Sequence, residues 1–268
     1  MGRMLAQKHV AKSLNFAVRL VHRVGDDIAR QSRRGLRVSF KGEIDLVTQF
    51  DRDAQEKIVA ALSREYPDHG ILSEEDINTN PDKDVRWIVD PLDGTTNFAH
   101  GLPIWAISVG LEVDDDVVLG VVYDPNRCET FTAVKNCGAR LNGRKIRVSR
   151  TRKLDRSLLV TGFPYDIRSS TRNNLQQFGE FAVRARAVRR LGSAALDLCY
   201  TACGRFDGYW ELKLSPWDQA AGSLILREAG GKITDFKGRA FNIYGDEVLG
   251  TNGLIHRQMM KVLEKVAG

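Results

Sequence analysis

The sequence predicts a layered fold of α and β structure, on three observations. A long run with helical periodicity opens the chain, a block of short apolar runs separated by turn residues fills its middle, and helix and strand patterns alternate from residue 157 onward. With 268 residues, 43 % of them hydrophobic and 28 % charged, the chain has ample material for a core and no sign of wholesale disorder.

Residues 5–30 read as one amphipathic helix, because Leu5, Val10, Leu14, Ala17, Val21, Val24 and Ile28 recur at helical spacing between Lys and Arg. After a Gly- and Arg-rich break, Thr48-x-x-Asp51 resembles a capping box and opens a second helix with the stripe Ala54, Ile58, Leu62. Strand-like runs follow at 70–73, 85–89, 104–113, 117–123 and 130–134, and Asp114-Asp115-Asp116 is the turn that joins the third and fourth as a hairpin. In the second half, 157–162 reads as strand, 171–186 and 194–203 as helices, 206–212 as strand, and 217–229 as a helix stopped by Gly230-Gly231. Short strands at 232–235 and 248–250 and a helix over 254–266 close the chain. Arg and Lys cluster without apolar periodicity near 149–157, so subdomains 1–150 and 151–268 are expected, packed as one compact unit around a shared cleft.

Several function classes are excluded early. The longest uncharged run, Gly94 to Leu111, is 18 residues and carries polar residues, Gly101 and Pro103, whereas a bilayer-spanning helix needs about 20 apolar residues. The four cysteines form no C-x-x-C pair, and the first residues lack the apolar segment of a secretory signal, so a cytoplasmic location is expected. No two glycines stand two residues apart, which removes the dinucleotide-binding fingerprint and the kinase glycine loop, and no P-loop is present. Cys199-x5-Arg205 and Asp114-x-Asp116 match phosphatase motifs only by chance, the one inside a helix pattern and the other in a hairpin turn. The net charge of +6 suits anionic partners, namely phosphorylated metabolites, RNA or an acidic protein face. Arg184 to Arg190, with four Arg in seven positions, lacks interleaved aromatics and reads as solvated helix and loop faces.

The segment Trp87 to Phe98 carries the chemistry. An apolar strand delivers Asp90, Pro91 is expected to stop the ladder, Asp93-Gly94 turns the chain, and Thr95-Thr96 open a helix with unpaired N–H groups. Two carboxylates three residues apart beside an anion-binding helix start suit a divalent cation holding a phosphate. Glu74-Glu75, Asp218 and Asp51 also stand at element ends, where solvated surface, an N-cap and a capping box are the respective simpler readings. Jointly they are a stronger signal, because carboxylates in one cleft repel unless cations neutralise them. The five His show no ligand spacing, so Mg2+ is favoured over zinc.

These residues resemble the inositol monophosphatase family. Asp90-Pro91-Leu92-Asp93-Gly94-Thr95-Thr96-Asn97-Phe98 is similar to its D-P-x-D-G-T-x-N-F signature, and Trp217-Asp218-Gln219-Ala220-Ala221-Gly222 to its W-D-x-A-A-G signature. Asp45-Leu46-Val47-Thr48-x-x-Asp51 and Glu74-Glu75 match two further motifs, all in family order; Ser73 stands where many members carry Gly. Leu191 to Leu198 and Gly204 to Gly208 resemble most the bacterial, SuhB-like branch.

The resemblance implies an αβαβα sandwich of the inositol monophosphatase and fructose bisphosphatase type. It also implies Li+-sensitive hydrolysis of inositol 1-phosphate or a similar polyol or sugar phosphate by metal-activated water, with two or three Mg2+ ions per active site. It places Glu74, Asp90, Asp93, Asp218 and the Leu92 carbonyl as metal ligands, the first four mostly in the N-terminal subdomain. Asp51 and Thr95, with Glu74, become the catalytic group that positions and activates water. Lys41, Gly94, Thr95, Arg189, Ala194 and Glu211 become substrate contacts, Gly94 and Thr95 offering N–H groups to the phosphate, Lys41 a basic residue near the cleft, and the rest toward the sugar or inositol ring. A homodimer is implied as well. The alternative is a regulatory protein that binds RNA polymerase or an antitermination factor, with the phosphatase activity secondary.

Overall fold

The computed structural model describes residues 2–32, 38–40 and 46–266, with side chains described over 10–32 and 49–266. Chain order begins with α1 (Gly2–Ser32), β1 (Val38–Phe40), β2 (Leu46–Thr48) and α2 (Gln49–Glu65). It continues with β3 (Gly70–Ser73), β4 (Ile77–Thr79), β5 (Val85–Asp93), α3 (Thr95–Ala99), β6 (Ala106–Val113), β7 (Asp116–Asp124), β8 (Glu129–Val134), β9 (Ala139–Leu141) and β10 (Arg144–Lys145). The second half runs β11 (Leu158–Thr161), α4 (Leu175–Ala182), β12 (Ala187–Arg189), α5 (Ala194–Ala202) and β13 (Gly208–Leu212). It ends with α6 (Pro216–Glu228), β14 (Lys232–Thr234), β15 (Glu247–Thr251) and α7 (His256–Val266).

Two sheets organise these elements. Eight strands in the order β10-β9-β8-β7-β6-β5-β3-β4 form the larger, and five in the order β12-β11-β13-β15-β14 the smaller. Helices α1 and α2 cover one face of the large sheet, packing Ala17, Val21, Val24, Ile28, Ala54, Ile58 and Leu62 against Trp87, Val89 and Val121. Between the sheets lie α5 and α6, whose Leu196, Leu198, Ala221, Leu224 and Ile225 meet Ile88 and Val122 on one side and Val160 and Tyr209 on the other. The outer face of the small sheet is closed by Phe181 of α4 and Met259 and Val262 of α7, against Leu159, Trp210 and Leu249. The layers are therefore α, β, α, β, α, as the resemblance implied. Among the described residues, no helix is long and apolar enough to cross a membrane.

Three expectations are corrected. Pro91 does not stop its strand: β5 continues to Asp93, and the register against β6 shifts between Asp90↔Ser108 and Asp93↔Ala106. That is a β-bulge, which accommodates a residue without an N–H while keeping both acids on one strand. The helix expected over 171–186 spans only Leu175–Ala182. It starts late because Asn174 sits in the left-handed region at φ 71° with its side chain committed elsewhere: its Nδ2 donates to Thr161 Oγ1 (2.8 Å) and to the Gly162 carbonyl (2.7 Å), and its Oδ1 accepts from Trp210 Nε1 (2.7 Å). Part of the Arg184–Arg190 cluster forms edge strand β12, paired parallel with β11, rather than helix or loop. Charged residues on an edge discourage further pairing. Lys41, Asp45 and the Thr48 side chain of the expected capping box lie outside the described residues and side chains.

Candidate active site

The end of β5, the start of α3, and the starts of α5 and α6 converge on one cavity of about 570 Å³. The convergence follows from the layering, because α5 and α6 lie between the sheets with their first turns beside the end of β5. Glu74, Asp93, Gly94, Thr95, Ala194, Glu211 and Asp218 all line it. The structure thus gathers residues separated by more than 140 positions in the chain.

Its acidic floor comes from three elements. Asp90, Asp93 and Asp218 each present a carboxylate oxygen, and these oxygens lie within 4.8 Å of one another. Glu74, in the turn after β3, lines the same cavity. Burial raises the Asp90 carboxyl well above the ordinary range, and the charges of Glu74, Asp93 and Asp218 raise it further. Asp218 is raised by the same causes, burial first and then Glu74 and Asp93. Burial pushes Asp93 up to about 6, against bonds that favour its charged form. Those bonds come from α5: the Ser193 hydroxyl, which caps that helix, and the backbone amides of Ala194 (3.2 Å) and Ala195 (2.9 Å). Asp218 is more than an N-terminal residue of α6, although its Oδ2 does accept from the Ser215 amide at 2.7 Å.

An oxygen-only set of carboxylates that raise one another's pKa fits a hard divalent cation, which relieves the repulsion and needs no nitrogen or sulfur ligand. Asp90, Asp93 and Asp218 could hold it. The Leu92 carbonyl is buried in the same bulge and lies 3.1 Å from Thr95 Oγ1.

Beside the acids, Gly94 takes φ +99°, a left-handed turn open to glycine, and directs the chain into α3. The first N–H groups of that helix, which have no partner inside it, adjoin the cavity. Thr95 Oγ1 also lies 2.8 Å from Asp51 Oδ1. Asp51 is fully buried in the first turn of α2, where it makes this contact. In the same cavity, burial raises Glu211 to about 7, and its Oε2 accepts the Tyr209 hydroxyl at 2.8 Å.

Arg189 is not brought to the cavity. It lies exposed on β12, bonded to the Val188 carbonyl, while its neighbour Arg190 lines the cavity and stands over the Phe163 ring at 5.3 Å. A parallel edge strand alternates its side chains, so a shift of one residue exchanges the two. Sequence reasoning also missed Ser193, Asp197, Gly162 and Gln55. Gln55 holds the acidic turn, bonding the Glu75 carbonyl and amide (2.8 and 3.1 Å) and accepting the Ser73 hydroxyl. Its spacing of four from Asp51 on one helix was the available signal. Ser73, unusual for the resemblance, has a partner that glycine would lack.

The profile of the inositol monophosphatase family matches residues 9–267. An inositol-1-monophosphatase from Synechocystis is 44 % identical over 252 residues, covering 93 % of this chain and 88 % of the relative. The Nus factor SuhB of Pasteurella multocida is 43 % identical over 235 residues, covering 84 % and 85 %. Among solved structures, an inositol monophosphatase from Anabaena superposes with a TM-score of 0.87 at 39 % identity, over 96 % of this chain and 97 % of that one.

Proposed function

The chain belongs to the inositol monophosphatase family, a family of metal-dependent phosphatases, and from that premise we propose that it hydrolyses inositol 1-phosphate or a similar small polyol or sugar phosphate with Mg2+ as cofactor. The observation that carries this reading is the oxygen-only cluster of Asp90, Asp93 and Asp218, of which Asp93 and Asp218 line one cavity with the start of α3. Two or three Mg2+ ions would be held by Glu74, Asp90, Asp93, Asp218 and the Leu92 carbonyl. When bound, they supply Lewis-acid chemistry, acidifying water and neutralising charge on the phosphate and the leaving oxygen.

The protein's own groups account for the rest. Thr95 directs its proton to Asp51, leaving oxygen lone pairs to orient a water and a buried carboxylate to receive that water's proton. Glu74, in the turn after β3, adds a further carboxylate for water activation. The Gly94 and Thr95 amides would receive phosphate oxygens, assisted by Lys41. Ser193 and the α5 amides hold Asp93 in one orientation. Glu211 and Ala194 would meet the ring of the polyol. Phosphoryl transfer depends on positioning and charge neutralisation, so the absence of a nucleophilic His or Cys from this group is no obstacle.

The test is phosphate release from a panel of monoesters with and without Mg2+ and Li+. Mg2+-dependent release, strongest for inositol 1-phosphate and inhibited by Li+, is expected, and Asp93→Asn should abolish it while the protein stays folded. Full activity of Asp93→Asn at ordinary Mg2+ would contradict the assignment.

A second reading rests on the similarity to proteins named Nus factor SuhB: a cytoplasmic, dimeric regulator that contacts RNA polymerase or an antitermination factor. If Asp93→Asn fully rescues a deletion phenotype, that binding role dominates. If it fails while folded, the chemistry matters in the cell.

A further inference from the structure

Among the described residues, the buried acids have partners, with one exception. Asp124 accepts from the Asn126 and Arg127 amides and the Arg127 guanidinium, Asp207 from Ser149 and the Leu158 amide, and Glu112 from the Tyr244 hydroxyl. Asp197, in the first turn of α5, is only 1 % exposed and lines the cavity. Its backbone is satisfied, the amide by the Ser193 carbonyl and the carbonyl by the Thr201 hydroxyl. Its carboxylate is not: no hydrogen bond or ion pair reaches it among the described residues, and Oδ1 is fully buried without a partner. The charges that bear on it are those of Glu211 and Asp93, both of its own sign.

A buried polar group without a partner is costly, and such groups in folded proteins call for an explanation. Among the described residues, no hydrogen-bonding group reaches the carboxyl to supply one. The cavity can. Asp197 and Glu211, two acceptors, both line it, together with Arg190 and the start of α3 whose amides suit phosphate. A ligand reaching these two acceptors must bring hydrogen-bond donors. Hydroxyl groups of a polyol meet that requirement.

We propose that Asp197 is a second acceptor for the hydroxyls of the substrate's polyol moiety, working beside Glu211, directly or through one ordered water. The proposal rests on the function proposed above and deepens it, naming a residue that selects polyol phosphates over aryl phosphates.

The test compares Asp197→Ala and Asp197→Asn with the wild type in saturating Mg2+, using inositol 1-phosphate and phenyl phosphate, whose leaving group has no further hydroxyl. Thermal melting of each protein without substrate completes it. A hydrogen bond to a charged group corresponds to a loss of about 10- to 100-fold in kcat/KM for inositol 1-phosphate with Asp197→Ala, expressed chiefly in KM. Asp197→Asn, which keeps a carbonyl acceptor, should fall between. Phenyl phosphate should change by no more than about twofold, and Tm should stay level or rise, because an unpartnered buried polar group is removed. Equal losses on both substrates, a Tm lowered by several degrees, or unaltered inositol 1-phosphate kinetics each overturn the proposal while leaving the phosphatase reading intact. A wild type that releases phosphate from neither compound overturns that reading, and the proposal falls with it.

Discussion

Thr95 has one proton and two acceptors in reach, Asp51 Oδ1 at 2.8 Å and the Leu92 carbonyl at 3.1 Å. Replacing it with Val keeps the volume and removes the hydroxyl. A drop in kcat of about 100-fold or more, with a native circular-dichroism spectrum, is expected if this pair handles the proton. Gly162 leaves room for a different residue. A Cβ there would fall 2.0 Å from Glu211 Oε1, so Gly162→Ala must displace the carboxylate. KM for inositol 1-phosphate should then rise about tenfold, the scale of one lost bond to a charged group, while phenyl phosphate turnover holds. Neither glycine nor hydroxyl could be assigned this purpose from neighbours in sequence. Gly162 and Glu211 meet only because β11 and β13 pair in parallel, bringing Thr161 opposite Trp210.

At the scale of elements, α4 shows how a single side chain sets a boundary. Apolar periodicity alone extends that helix from 171 to 186, yet Asn174 begins it by binding three groups on β11 and β13. Asn174→Ala would leave those groups unpaired in the core and place a Cβ-bearing residue with no compensating bonds in the left-handed region. A loss of about 3 kcal/mol in urea unfolding is expected. Helix α6 was legible: Pro216 at its start, Asp218 in its first turn, Gly230-Gly231 beyond its end. Its burial was less so, because Ala220 and Ala221 face the paired Gly110 and Gly120 of the large sheet, a contact set by two strands far upstream.

The whole molecule should report cation binding through its stability. Saturating Mg2+ at about 100 times its Kd adds about 2.7 kcal/mol, or roughly 5–10 °C in Tm for a chain of this size. Differential scanning calorimetry should show that shift for the wild type and little of it for Asp218→Asn. Acid sensitivity has a separate origin. His256 is buried between Thr234 and Thr251, and burial lowers its pKa from 6.5 to about 4. The Thr234 hydroxyl donates to the Asp235 carbonyl, so it accepts from Nε2–H, and Thr251 donates to Nδ1: the site is built for the neutral ring. The unfolded chain therefore binds the proton first. Stability from this group is complete above pH 6.5 and is lost as pH falls toward 4, by about 3 kcal/mol in all. Unfolding curves at pH 7.5 and 4.5 should show a smaller difference for His256→Gln than for the wild type.

Residues close in the chain could be related from their order alone. Asp90, Asp93, Gly94 and Thr95 lie within six positions, so local geometry already puts two carboxylates and a helix start together, and the periodicities of α1, α2 and α6 follow from the same short-range rules. Glu74, Asp51, Glu211 and Asp218 were linked to them by motif resemblance, without a geometric reason. That reason lies in the packing of α5 and α6 between two sheets, which seats Ser193 on Asp93 a hundred residues away, brings Glu211 to the same cavity, and leaves Asp197 without a partner. Backbone pattern dictates which elements form, whereas burial and pairing across the layers dictate which side chains meet, and the chemistry of this cavity depends on the meeting.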